Sequence, residues 1–173
     1  MNALTIEQLE VFVIGSLNDQ GLTWRNTEQA LAWHGTTIRT VEALGEAITS
    51  YEASDQDSAV QLHNIEAKAV EVLASIIVQL AIHKGTTLNL SKSAGYYLSG
   101  NYTDSREDVL EWLGDSIARN GGNTVDLLRD LAGCLIRDVS LYGLTLEGCL
   151  RAVLKERKRN RLQLLIYHMR ARR

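Results

Sequence analysis

Residues 58–83 read SAVQLHNIEAKAVEVLASIIVQLAIH, and this stretch decides the fold class. The segment is too long for an ordinary strand, and its apolar residues do not alternate with polar ones. It stops at Lys84-Gly85, a typical helix end. Its most apolar part, residues 70–82, contains Glu71 and Gln79 and is too short to span a bilayer. We therefore predict a long, mostly buried helix.

The rest of the sequence extends this prediction to the whole chain. Proline is absent, and its absence favours helices joined by glycine and polar turns over strands with proline-rich loops. No stretch shows sustained alternation between turn signals, so no sheet is expected. Capping residues and glycine stops place the other helices at about residues 6–18, 37–51, 105–120, 124–142 and 145–167, with a short helix and a loop within 86–104. The predicted fold is an all-α helical bundle in a single domain, residues 1–173.

The composition is that of a globular protein. Hydrophobic residues make up 45% of the chain and charged residues 23%, which argues against general disorder. Glu7 and Glu10 interrupt what would be the apolar region of a signal peptide. Cys134 and Cys149 fit neither a metal motif nor a disulfide framework, and the four histidines, without zinc spacing, are expected at the surface or at helix ends. We expect a cytoplasmic protein with buried, reduced thiols and no membrane contact.

The two halves of the chain, about residues 1–95 and 103–173, share a pattern of acids. In each half, a helix opens with two carboxylates four residues apart, which places both on one helix face. A long apolar helix with an acid near its start follows, and it ends at a glycine. The matching positions are Glu42 with Glu107, Glu46 with Glu111, and Glu71 with Asp130. The pattern indicates a duplication that would build a four-helix core with a pseudo-twofold relation, although any two amphipathic hairpins share some of it.

These features resemble the all-α nucleoside triphosphate pyrophosphohydrolases, the family of dimeric dUTPases and MazG proteins. Residues 17–51, with Asn18, Trp24 and Trp33, are similar to the dimeric dUTPase opening, in which Asn and Trp residues flank the base pocket. Residues 127–161 resemble the end of a MazG unit. The resemblance implies Mg²⁺-dependent hydrolysis of a (deoxy)nucleoside triphosphate to the monophosphate and pyrophosphate. It also makes a homodimer an expected assembly.

The resemblance also implies which residues would bind Mg²⁺ and the nucleotide. The Mg²⁺ ligands would be either Glu42, Glu46 and Glu71 or else Asp108, Glu111, Asp126 and Asp130. Carboxylate oxygens are the hard ligands that Mg²⁺ prefers, and the bound ion can hold a triphosphate and activate water. One acid of the set, Glu46 or Glu111, would orient the attacking water. The substrate contacts would be Asn18, Trp24 and Trp33 for the base, and Arg157 and Lys158 for the phosphates.

Neither half carries the intact family motif. Lys68 stands three residues before Glu71, where the family has a metal ligand, and Leu127 stands at the equivalent position before Asp130. Acids in a first helical turn also offset the helix dipole without any ligand, and a buried Glu71 needs only an ion-pair partner such as Lys68. The alternative function is therefore a non-catalytic regulatory or binding protein, an inhibitor or adaptor, on the same helical scaffold.

The C-terminal segment, residues 151–173, is strongly basic. It holds nine of the eighteen Lys and Arg residues, whereas most of the acids precede it. Cations suit a helix C-terminus, so a solvated helix end is the favoured interpretation. Contact of Arg157 and Lys158 with a triphosphate is a second interpretation, and contact with nucleic acid phosphates is a third. The segment lacks the aromatic alternation that base stacking would need.

Overall fold

The computed structural model describes Gln8 and residues 27–54, 58–83 and 104–155. Every regular element within these ranges is an α-helix: α1 (Thr27–Ala53), α2 (Ala59–Ile82), α3 (Arg106–Ala118), α4 (Thr124–Ser140) and α5 (Leu146–Lys155). The predicted all-α fold class is confirmed for this part of the chain. Across the same ranges, no helix combines the length and the apolar character that crossing a membrane requires. The predicted helix at 6–18, Gln8 apart, and the predicted short helix before Asp104 lie outside the described residues.

Side-chain caps begin α2 and α3 where the sequence predicts. The Ser58 hydroxyl accepts a hydrogen bond from the Gln61 amide at 3.3 Å, and the Ser105 hydroxyl accepts one from the Asp108 amide at 3.1 Å. Such caps satisfy amide groups that the first turn of a helix leaves without an intrahelical partner. At the other end of α3, Asn120 adopts the left-handed conformation with φ of 50°, a conformation that asparagine tolerates well. Local sequence signals therefore fix these helix ends.

Helix α1 corrects the prediction at its N-terminal end. It begins at Thr27, ten residues before the predicted start. Gly35, Thr36 and Thr37 have low helix propensity, which explains the prediction, but tertiary packing overrides that preference. Trp33 is buried, and the Thr37 hydroxyl donates back to the Trp33 carbonyl at 3.3 Å. The first two turns of α1 thus contribute to the core and position the residues that follow them.

Helix α2 forms the centre of the bundle. Residues 72–80 are buried without interruption, and α2 packs against α1, α4 and α5. Two polar side chains within this stretch contact polar groups of α1: Gln79 Nε2 donates to Thr37 Oγ1 at 2.6 Å, and Ser75 Oγ lies 3.4 Å from Thr40 Oγ1. Buried hydrogen bonds of this kind fix the register of two helices, because sliding either helix would leave polar groups unpaired.

The helices form two hairpins, α1 with α2 and α3 with α4. The first helices of the hairpins contact each other, and so do the second helices. The hairpins differ in size, with helices of 27 and 24 residues against 13 and 17. The internal duplication stays a prediction, but this arrangement brings α1 and α3, the two helices with paired acids, side by side.

Candidate functional site

A groove of about 370 Å³ lies between α1 and α3. The two helices run antiparallel, because His34 near the start of α1 lies over Gly114 near the end of α3, whereas Arg106 at the start of α3 lies over Gly45. A Cβ atom at Gly114 would come within 2.8 Å of His34 Nε2, and one at Gly45 would lie 3.4 Å from the Arg106 guanidinium. Both glycines leave room at the helix interface for a larger side chain from the opposite helix.

The groove has an acidic rim and an apolar lining. One of its four acids comes from α1 and three come from successive turns of α3; they are Glu42, Glu107, Glu111 and Asp115. All four side chains are exposed. Between them lie aliphatic side chains of both helices, namely Ile38, Val41 and Leu110. Like charges in one concave surface reinforce each other and attract cations, so the groove favours a ligand that is both cationic and partly apolar.

Arg106 also lines the groove, but its charge is already paired. Its Nη1 atom donates to Asp138 on α4 at 2.9 Å, and its Nε atom donates to Glu107 at 3.1 Å. Arg137 holds the same Asp138 from the other side at 3.1 Å and also donates to the Asp104 carbonyl at 2.8 Å. Asp138 is thus compensated by two arginines, and these contacts hold the Arg106 guanidinium at the groove. Of the rim acids, Glu107 pairs with Arg106 and Asp115 has Arg119 at 3.5 Å, whereas Glu42 and Glu111 have no ion pair among the described residues.

His34 is buried at the point where α1 and α3 approach each other. It is 6% exposed, it lines the groove, and its Nδ1 atom finds no hydrogen-bond partner among the residues that the structure describes. Burial lowers the pKa of His34 from its usual value, and a hydrogen bond with the Leu110 backbone offsets part of this effect. The neutral imidazole is therefore favoured. This position corrects the expectation that the histidines lie at the surface or at helix ends.

The members of the first predicted set of Mg²⁺ ligands do not all line the groove. Glu42 lines the groove, whereas Glu46 is exposed on α1 and is not among the lining residues. Glu71 lies on α2, where the Lys68 ammonium donates to its carboxylate at 3.2 Å. The cation that interrupts the family motif thus serves as the partner of this half-buried acid.

The members of the second predicted set do not all line the groove either. Glu111 lines the groove. Asp108 is exposed in the first turn of α3, and Asp126 is exposed in the first turn of α4, with Arg129 at 3.8 Å. Asp130 is half-buried on α4 and does not line the groove. The acids that meet are therefore Glu42 and Glu111, one from each set.

Sequence reasoning missed two acids of the groove. Glu107 and Asp115 lie one turn before and one turn after Glu111, so the spacing of four residues places all three on one face of α3. That spacing was the available signal. It could not show that the face turns toward Glu42, because the pairing of α1 with α3 depends on contacts between residues distant in sequence.

The residues predicted to bind the nucleotide have a mixed outcome. Trp33 is 1% exposed and belongs to the hydrophobic core, outside the groove lining. Asn18, Trp24, Arg157 and Lys158 lie outside the described residues, so their contacts with a base or with phosphates stay predictions.

Possible metal ligands occur throughout the described residues. Within residues 27–54, 58–83 and 104–155, no three or more His, Cys, Asp or Glu side chains are grouped so as to hold a metal ion. The Mg²⁺ site implied by the family resemblance stays a prediction.

Comparison with protein-family models, curated proteins and solved structures gives no match for this chain. The resemblance to the pyrophosphohydrolases therefore rests on the sequence motifs alone, and the site has to be interpreted from its own chemistry.

Proposed function

We propose that this protein is a non-catalytic binding protein whose groove takes a lysine or arginine side chain of a partner protein. The observation that carries this proposal is the composition of the groove, in which carboxylates of α1 and α3 surround an aliphatic lining. Long basic side chains have the complementary build, because their methylene stems cover apolar surface while the charged head stays near water and anions. Ile38 and Leu110 would contact the stem, and Glu42 and Glu111 would meet the charge.

The energetics favour a weak, salt-sensitive interaction. An exposed ion pair contributes about 0.2–1 kcal/mol, so Glu42 and Glu111, the rim acids without an ion pair among the described residues, together supply up to about 2 kcal/mol. Salt at physiological strength screens charges beyond about 8 Å, and binding should weaken as salt is added. A bare triphosphate, in contrast, would bring its negative charge against the same rim. The groove therefore suits a regulatory contact with a basic protein segment.

The second candidate is the Mg²⁺-dependent nucleoside triphosphate pyrophosphohydrolase. One observation favours it: Glu42 and Glu111, an acid from each predicted ligand set, line the same groove. In that case Glu42 and Glu111, with Glu107 or Asp115, would be the groove residues that hold Mg²⁺. The ion would neutralise and orient a triphosphate.

Nuclear magnetic resonance titration of the ¹⁵N-labelled protein separates the two candidates. The ligands are a lysine-rich peptide, free cadaverine, Mg²⁺ alone and Mg²⁺ with a panel of deoxynucleoside triphosphates. The binding-protein proposal predicts that the peptide shifts resonances of α1 and α3 along the groove, and that cadaverine does so more weakly. A peptide that perturbs neither helix contradicts it. Cadaverine as effective as the peptide would identify a small amine, rather than a protein, as the ligand.

A matched pair of variants sharpens the test. Glu111→Gln removes a groove acid, and Glu46→Gln removes an exposed acid of the same type that does not line the groove. The binding-protein proposal predicts weaker peptide binding in the first variant only. The enzyme candidate predicts pyrophosphate release from a nucleotide in the wild type, with loss of that activity in the Glu111 variant. Absence of release for every nucleotide removes the enzyme candidate.

A further inference from the structure

His34 is packed between the two helices that form the groove, so a change in its protonation state affects the groove. The ring is held where α1 and α3 come together, with Nε2 only 2.8 Å from the place that a Cβ of residue 114 would occupy. The ring also bonds to the Leu110 backbone, and its Nδ1 is buried. A proton added to Nδ1 would create a buried cationic N–H without an acceptor in the described surroundings. Burial of an unpaired charge is strongly unfavourable.

The carboxylates of the groove offer that proton a better environment. The groups of α1 and α3 that face the space beside His34 are Glu42, Glu107, Glu111, Asp115 and Arg106. Arg106 is paired with Asp138 and Glu107, and Asp115 has Arg119 at 3.5 Å, so Glu42 and Glu111 are the groove acids without an ion pair among the described residues. Because His34 already lines the groove, rotation of its side chain would exchange the contact with Gly114 for an ion pair with these acids. The protonated ring would then occupy the part of the groove that a ligand cation needs.

We propose that His34 is a pH-sensitive switch of the groove: the neutral ring lies on Gly114 and leaves the groove open, and the protonated ring turns into the groove and displaces a cationic ligand. This inference rests on the proposed function for the ligand, whereas the movement of the ring is a property of the protein alone. In the folded state the pKa of His34 is lowered. The stability of the neutral arrangement is therefore fully present above the usual value of about 6.5 and is lost as the pH falls below it.

The affinity for the lysine-rich peptide tests the ligand half of the proposal. It is measured at pH 7.5 and pH 5.5, which lie on either side of the usual histidine pKa of about 6.5. We expect the affinity of the wild type to fall at least twofold at the lower pH. His34→Gln keeps a donor for the Leu110 carbonyl but does not titrate in this range, so its affinity should change less than twofold. An equal fall in both proteins overturns the switch.

Gly114→Ala supplies an independent test at constant pH. The added methyl group occupies the place of the ring and should drive it toward the groove, so peptide affinity at pH 7.5 should already be lowered at least threefold. The His34 pKa should also rise toward its usual value, because the displaced ring is less buried. Far-ultraviolet circular dichroism confirms that the variant is folded. Wild-type affinity together with a wild-type His34 titration in this variant contradicts the proposal.

The ligand-free protein distinguishes failure of the switch from failure of the proposed function. Nuclear Overhauser contacts between the His34 ring and Gly114 should be present at pH 7.5 and lost as the ring titrates. If they persist after protonation, the switch is wrong whether or not the peptide binds. If they disappear but no peptide binds at any pH, the proposed ligand is wrong and the ring movement stands.

Discussion

Alanine substitution at two helical glycines compares a crowded position with an open one. Gly114 on α3 and Gly35 on α1 are both partly exposed and lie within helices. A Cβ at Gly114 would meet His34 Nε2 at 2.8 Å, whereas one at Gly35 would meet only the end of the Arg39 side chain at 3.8 Å. The first distance is shorter than a van der Waals contact, and the second is an ordinary one. The two substitutions should therefore have opposite effects on stability.

The magnitude follows from two terms. Alanine stabilises a helix interior by about 0.5–1 kcal/mol relative to glycine, and Gly35→Ala should gain this amount. At Gly114 the same gain is opposed by overpacking, which costs about 1–3 kcal/mol, because the buried ring of His34 must move. The free energies of unfolding of the two variants should thus differ by about 1–3 kcal/mol. In a chain of this size, that difference corresponds to roughly 3–10 °C in Tm.

Urea and thermal denaturation, followed by circular dichroism at pH 7.5, provide the measurement. A double-mutant cycle with His34→Ala locates the cause: once the ring is removed, Gly114→Ala should cost less than it does in the wild-type background. Equal stabilisation by both glycine substitutions would refute the packing of His34 on Gly114. An unchanged cost after removal of the ring would refute it as well.

Three further outcomes are expected. Leu73 is fully buried at the centre of α2. Leu73→Ala should therefore lower the free energy of unfolding, measured by urea titration, by about 2–5 kcal/mol. A loss below about 1 kcal/mol would be inconsistent with its place in the core. Burial raises the pKa of both Cys134 and Cys149 to about 12, so neither thiol should react with an aromatic disulfide reagent at pH 8 until urea unfolds the protein; fast labelling of the native protein would disprove this. Burial and a 2.6 Å hydrogen bond to Glu52 raise the pKa of Tyr142 to about 12. The contribution of this hydrogen bond to the free energy of unfolding should be present below pH 10 and lost as the pH rises through 12. Tyr142→Phe should lower the free energy of unfolding by up to about 1 kcal/mol and should abolish this pH dependence.

The sequence predicts the helices best where local chemistry determines them. Ser58 and Ser105 are caps that act on amides three residues away, so a short window of sequence contains the whole interaction. The ion pair between Lys68 and Glu71 is local in the same sense, since both lie on one face of α2. The start of α1 was predicted wrongly because burial of Trp33, which depends on the rest of the fold, outweighs the low helix propensity of the residues after it.

The groove could not be predicted because it depends on which face of α1 meets which face of α3. Glu42 and Glu111 were predicted as members of two alternative ligand sets, and the antiparallel pairing of the two helices brings them to one groove. The burial of His34 could not be predicted for the same reason. A single histidine carries no local signal of burial, and its place on the face of Ile38 and Val41 becomes informative only when the opposite helix is known.

Isothermal titration of charge-matched double variants tests most directly whether the groove binds a basic side chain. Glu42→Gln with Glu111→Gln removes two groove acids, and Glu46→Gln with Glu147→Gln removes two exposed acids that do not line it. Both variants change the net charge equally, so the long-range electrostatic attraction between the protein and a lysine-rich peptide falls by the same amount in both. At low salt, the groove variant should bind the peptide more weakly than the control by about 0.5–2 kcal/mol, or roughly 2- to 30-fold. Equal affinities in the two variants would contradict the groove as the binding site.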